Sequence, residues 1–173
     1  MCRIKNIIIL MAACLLILAG CTADGGKFLD YQAGIRSAEV SWTIGEREYS
    51  ATITLGESAE NATVAVTDPT ELEGVSVTYS PEGAEASVGS VRMPLPDNMG
   101  REVYRIVRSL SFSEDEIKGA GNATGEVTAV RFEVPLYGGT TEYNVLYGDD
   151  KMPKSAEVKW DGGELNVRYI GFR

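Results

Sequence analysis

The chain has 173 residues, 16 of them basic and 25 acidic, with no histidine and a formal net charge of −9. Without an imidazole it cannot build a Ser-His-Asp triad, a Cys-His pair or the common zinc sites. Its acidic balance repels phosphate, which argues against nucleic acid as a partner and against electrostatic attachment to anionic headgroups.

The first twenty residues read as an export signal. Arg3 and Lys5 form a short positive start, and the uncharged run from Asn6 to Ala19, rich in Ile, Leu and Ala, has the length of a signal-peptide core and is short for a membrane span. It ends in Leu18-Ala19-Gly20-Cys21, which resembles the bacterial lipobox; the expectation is cleavage after residue 20 and lipidation of Cys21. An ordinary signal that happens to contain a cysteine is the weaker alternative. Stable anchoring needs more than one acyl chain, which a lipidated N-terminal cysteine would carry. Thr22, not Asp, follows the cysteine, so a Gram-negative inner-membrane retention signal is absent.

Cleavage changes what the composition means. Cys2 and Cys14 leave and Cys21 is acylated, so the exported domain has neither a free thiol nor a disulfide. Arg3 and Lys5 leave too, and 14 basic residues then face 25 acidic ones, for a charge of −11. The remaining 153 residues suit one domain. We assign 21–32 to the lipidated cysteine and a short tether, and 33–173 to the domain, on the extracytoplasmic face of a cell membrane.

Strand signals follow in order. Val40, Trp42 and Ile44 alternate with Ser41 and Thr43. After the turn Gly45-Glu46-Arg47-Glu48 the period of two resumes at Tyr49, Ala51, Ile53 and Leu55, a hairpin with one apolar face. The period recurs at Thr63 to Thr67, at Val75, Val77 and Tyr79, at Ala84 to Val88, and at Val91, Met93 and Leu95. Turns at Asp68-Pro69, Ser80-Pro81-Glu82-Gly83 and Gly89-Ser90 separate these runs. Six strands thus precede a helix over 98–110, capped by Asp97 or Asn98. Met99, Val103, Ile106, Val107 and Leu110 form its apolar stripe, and Arg101, Arg105 and Arg108 point away from it. Ser113 and Glu116 have capping-box spacing, and Gly119 to Gly125 reads as a flexible connection. Strands resume with Val130 to Leu136, a turn at Gly138-Gly139, then Tyr143 to Tyr147. After the corner at Gly148 to Pro153 come Ala156 to Trp160, a turn at Asp161-Gly162-Gly163, and Leu165 to Tyr169.

The expected fold is mainly β: a curved antiparallel sheet of about ten strands wrapped around one central amphipathic helix. One-sided alternation is the mark of antiparallel sheets, and so many hairpin-linked strands must curl.

Several features support a resemblance: the lipobox, the Phe28-Leu29-Asp30-Tyr31-Gln32 lead-in, the hairpin of Ala38 to Leu55, the corner Asp68 to Val75, the central helix and the corner Met152-Pro153-Lys154-Ser155. In this order they resemble small lipoproteins of Firmicutes. Those are in turn similar to the half-barrel domain shared by Gram-negative lipoprotein carriers and receptors and by a clostridial spore-germination lipoprotein. The resemblance implies that the sheet is an open half-barrel whose apolar concave face, lidded by helix, holds acyl chains or a partner segment.

Catalytic and metal readings are weak. Lys154-Ser155 is a polar turn before it is a Ser-Lys pair. The acidic turns Asp149-Asp150 and Asp161 to Glu164 lack the ligand spacing of a calcium loop. The Asn61 and Asn122 sequons read as incidental loop residues, and inward alternation assigns the aromatic rings to the core more than to an exposed platform. We therefore expect no enzyme, no cofactor and no metal. The leading expectation is a lipid or other hydrophobic ligand bound in the concave face, with Trp42, Ile53, Val77, Val103, Ile106, Val107 and Trp160 as wall residues. The alternative is an interaction or scaffold lipoprotein that docks an envelope protein through its acidic rim or a sheet edge, which would also permit homodimerisation.

Overall fold

A computed structural model describes residues 25–44, 46–56, 61–80, 83–124 and 127–173. The signal segment, Cys21, and the turn residues Gly45, Pro81, Glu82 and Gly125 lie outside the described residues, as do the side chains of Asn98, Met99 and Asn122. The described strands are β1 (Ser37–Ile44), β2 (Arg47–Leu55), β3 (Ala62–Asp68), β4 (Val75–Ser80), β5 (Gly83–Val88), β6 (Val91–Pro94), β7 (Ile117–Thr124), β8 (Val127–Leu136), β9 (Gly139–Tyr147), β10 (Pro153–Trp160) and β11 (Gly163–Phe172). One helix, α1 (Asp97–Arg108), separates β6 from β7.

All eleven strands join one open antiparallel sheet in the order β6-β5-β4-β3-β2-β1-β11-β10-β9-β8-β7. The chain starts at the centre, walks out to the β6 edge, crosses by α1 to the β7 edge, and walks back until β11 pairs with β1. Ten strand spacings would separate the two edges by about 48 Å if the sheet were flat, whereas a helix of 12 residues spans only about 18 Å. Curling brings the edges within easy reach of the crossing and places the helix in the concavity.

The alternation read from the sequence sets the two faces. In β9, Thr141, Tyr143, Val145 and Tyr147 are buried, and in β11 Leu165, Val167 and Tyr169 are buried while Glu164, Asn166, Arg168 and Ile170 are exposed. Register keeps the apolar faces together: Trp42 is opposite Tyr49, Val40 opposite Ala51, Val64 opposite Val77, and Phe132 opposite Tyr143. On the other side of this layer lie Ile106 and Val107 of α1, then Leu110 in the turn that follows it and Phe112, whose ring stacks on Phe132 at 3.9 Å.

Four readings are corrected. The eleventh strand is β7, over the segment read as a flexible glycine connection. Gly119 and Gly121 weaken its strand signal, but an edge strand needs only one partner, and β7 has β8, with register shifts after Ile117 and after Asn122. The β8–β9 turn is Tyr137-Gly138, one residue earlier than read: Leu136 pairs with Gly139, and both turn residues have positive φ, 55° and 80°. Helix α1 starts at Asp97 with Pro96 at the N-cap position, and proline, having no side-chain oxygen, makes no side-chain cap bond. Arg105, assigned to the polar side of the helix, is buried at 7% exposure, because the concave sheet wraps more of the helix than one apolar stripe.

The lead-in packs against the domain. Two 3-10 turns, Gly25–Phe28 and Asp30–Ala33, bring Phe28 to 5.1 Å and Tyr31 to 6.0 Å from the ring of Tyr147, and Gln32 Oε1 accepts the amide of Phe112 at 2.8 Å. Ser113 and Glu116 form the anticipated capping box, and Glu116 also takes Arg108 Nη2 on both oxygens at 2.6 and 2.8 Å.

Candidate functional site, a cleft beside the central helix

Polar staples hold α1 against the sheet. Tyr79 of β4, Tyr143 of β9 and Tyr169 of β11 donate their hydroxyls to the carbonyls of Gly100, Arg105 and Ser109 at 3.1, 3.2 and 3.0 Å. Burial pushes all three phenols well above the ordinary tyrosine value, so they remain donors at any physiological pH. Gly100 sits where a Cβ would stand 3.2 Å from that of Ala84, which lets the first turn of the helix approach β5 closely.

Two clefts open beside the N-terminal half of α1. The first, about 480 Å³, lies between the β4–β5 hairpin and the helix and is lined by Tyr79, Ala84, Leu95, Gly100, Arg101, Tyr104 and Tyr137, among others. The second, about 360 Å³, lies on the far side of Tyr137 between the helix and the β8–β9 and β10–β11 turns, with Arg101, Glu102, Arg105, Tyr137, Thr140, Trp160 and Asp161 in its walls. By strand direction the two hairpins that frame the first cleft belong to opposite ends of the sheet. The twist of a many-stranded sheet brings such diagonal corners together across the helix.

The walls are aromatic and cationic. Tyr104 stands between Tyr79, at 5.6 Å, and Tyr137, at 6.1 Å. Arg101 lies 4.9 Å and Arg105 5.4 Å from the centre of the Tyr137 ring, and Arg105 is 4.5 Å from the ring of Trp160. Trp160 is laid over Gly163, where a Cβ would collide with the indole. Tyr137 is exposed yet held in the left-handed region, a conformation that costs a non-glycine residue about 1 kcal/mol or more. Desolvation and the neighbouring Tyr104 push its phenol up to about 12 against the opposing pull of Arg105 and Arg101.

Of the residues named from the sequence, Cys21 lies outside the described residues. Ile53, Val77, Ile106 and Val107 come together in the core, where they are buried among their neighbours, and Val103 packs on them half-buried. Trp42 is buried and stacks on Tyr49 at 5.8 Å. Trp160 is the one of the seven that lines these clefts. Sequence reasoning missed Tyr104, Tyr137 and Arg105 as cleft residues. Tyr137 was hidden because the turn was read one residue later, at Gly138-Gly139, which left Tyr137 at a strand end; nothing marked Tyr104. Among the described residues, no group of three or more acidic side chains is placed to hold a metal, and no helix is long and apolar enough to cross a membrane.

No family model matches the chain, and no curated protein matches it. Among solved structures it is similar to an uncharacterized conserved protein from Thermus thermophilus, at 15% identity over 85% of this chain and 83% of that one, with a TM-score of 0.47. It is similar also to the lipoprotein LppX of Mycobacterium tuberculosis, at 12% identity over 87% and 93% of the two chains with a TM-score of 0.44. A LolA superfamily protein from Nitrosomonas europaea shares 11% identity over 86% and 92%, with a TM-score of 0.42. These likenesses are of overall shape at low identity.

Proposed function

We propose that the protein is a non-catalytic extracytoplasmic lipoprotein, tethered through Cys21, that binds a lipid or other hydrophobic ligand beside its central helix. The observation that carries the ligand is the cleft of about 480 Å³ walled by Tyr79, Ala84, Leu95, Tyr104 and Tyr137. That volume lies within the range of small-molecule sites, and apolar and aromatic walls with a few polar groups are their usual lining. The site expected from the sequence lies deeper, under the helix; Trp42, Ile53, Val77, Ile106 and Val107 are buried there among core neighbours, while Trp160 lines the cleft beside the helix.

Mass spectrometry of organic extracts from the purified full chain tests this. A hydrophobic molecule separate from the Cys21 modification should co-purify, and Ala84→Phe, which fills the cleft from β5, should lower its yield at least about tenfold, the equivalent of 1.4 kcal/mol, with circular dichroism separating a filled cleft from a displaced helix. A wild-type chain that retains nothing would overturn the reading.

A second reading has one observation in its favour. At the β6 edge, Val88, Val91 and Met93 are 53, 60 and 54% exposed. An apolar edge of this kind is a template for pairing with an envelope protein or a second copy. Crosslinking in cells that repeatedly captured one partner at β6, from a chain free of bound lipid, would favour it.

A further inference from the structure

We infer that the ligand is an amphipathic anion, a carboxylate or phosphate monoester on an apolar tail, with Arg105 as the counter-charge of its headgroup. This inference rests on the reading of the first cleft as the seat of a hydrophobic ligand.

Helix α1 carries three arginines in different circumstances. Arg101 has Asp97 at 3.9 Å and Arg108 has Glu116 at 2.6 Å. Arg105, between them, is the buried one, and among the described residues no carboxylate lies within 4.0 Å of it. Its Nε donates to Thr141 Oγ1 at a long 3.4 Å, and the flat cation faces the rings of Trp160 and Tyr137. Burying a guanidinium without a counter-charge is costly, and aromatic faces offset only part of that cost. An aliphatic side chain would fill the position better if packing were the only demand on it. Arginine has five donors in a planar fork that matches carboxylate and phosphate oxygens, and the Thr141 bond uses one of them.

Position agrees with this role. Arg105 lines the second cleft, which shares Arg101 and Tyr137 with the first. Tyr137 and Arg101 are the wall between the two clefts, so a headgroup at Arg105 reaches the first cleft with its tail once the exposed Tyr137 ring gives way, and the tail then runs along Tyr104, Leu95 and Ala84. The carboxylates in the second cleft, Glu102 and Asp161, are exposed, and neither pairs with Arg105. They disfavour a small anion that stops at the rim, and the apolar tail supplies the burial that draws the headgroup past them.

The test uses photo-activatable probes with one tail and three headgroups, an alkyl carboxylate, an alkyl phosphate and an alkanol, applied to isolated membranes bearing the full chain. The readout is the yield of labelled peptide from residues 79–104. The carboxylate or the phosphate should label at least about tenfold more than the alkanol, the least that a charge-assisted bond supplies, and the better of the two names the source. Arg105→Gln should reduce the anionic probe to the level of the alkanol, and Arg105→Lys should restore part of the preference. Equal labelling of the wild type by all three probes would overturn the headgroup and leave the hydrophobic-ligand reading standing; no labelling by any of them would overturn both. The wild-type comparison decides even where a variant fails to fold, and a preference that survives Arg105→Gln in folded protein would remove Arg105 from the site.

Discussion

At the scale of single residues, the tyrosines carry more of the structure than their alternation conveys. Tyr79, Tyr143 and Tyr169 each do two things: the ring fills the core and the hydroxyl satisfies a helix carbonyl. Tyr143→Phe keeps the ring, so it should cost only about 1 kcal/mol at neutral pH, read from urea unfolding. The pH dependence follows from the direction of the shifts. Burial raises the phenols of Tyr79, Tyr143, Tyr147 and Tyr169 in the folded chain, while the unfolded chain ionises near its ordinary value of about 10. Above that pH the unfolded state releases protons that the folded state keeps, so stability is fully present below about pH 10 and falls by about 1.4 kcal/mol per tyrosine per pH unit beyond it. Near-ultraviolet circular dichroism and phenolate absorbance should change together in one steep transition above pH 10. Phenolate appearing at ordinary midpoints while the dichroism stays intact would contradict this.

Among the elements, the junction from α1 to β7 shows how far local spacing can be read. The Ser113 and Glu116 capping box was legible because both partners sit three residues apart on one turn. The pair that Glu116 makes with Arg108 was not, because it spans a reversal of the chain. Both side chains are mostly buried and the contact uses both carboxylate oxygens, so losing one partner strands the other. Glu116→Leu should destabilise the fold by about 3 kcal/mol. Adding Arg108→Met should recover a large part of the loss, and chemical denaturation of the single and double variants measures both. Strand β7 was hidden for a related reason. Gly119 and Gly121 have little intrinsic preference for a strand, and what makes them one is β8 alongside.

For the whole molecule, the entry of the chain bears on where the cleft faces. Phe28 is fixed against Tyr147 at the end of β9 and stands seven positions after Cys21, a reach of at most about 25 Å. Tyr137 lies beyond the opposite end of β9, about 27 Å along the strand. Under the anchorage proposed for Cys21, the Tyr147 rim would lie within that reach of the bilayer and Tyr137 at the other end of that wing of the sheet. Palmitate labelling in growing cells checks the anchor: the wild type should incorporate label and Cys21→Ser should not, and label that persists in the variant would move the attachment elsewhere.

The alternation of apolar and polar residues was enough to establish an antiparallel sheet with one inward face and a helix midway along the chain, because a period of two and a period near four are local properties. Hairpin turns then leave few choices of strand order. The position of the cleft is different in kind. It arises where the β4–β5 and β8–β9 hairpins, distant in sequence and at opposite ends of the sheet, meet across α1 at Tyr104. The burial of Arg105 likewise depends on how far the curled sheet wraps the helix. Twist and curl accumulate over eleven strands, and no window of neighbouring residues contains their sum.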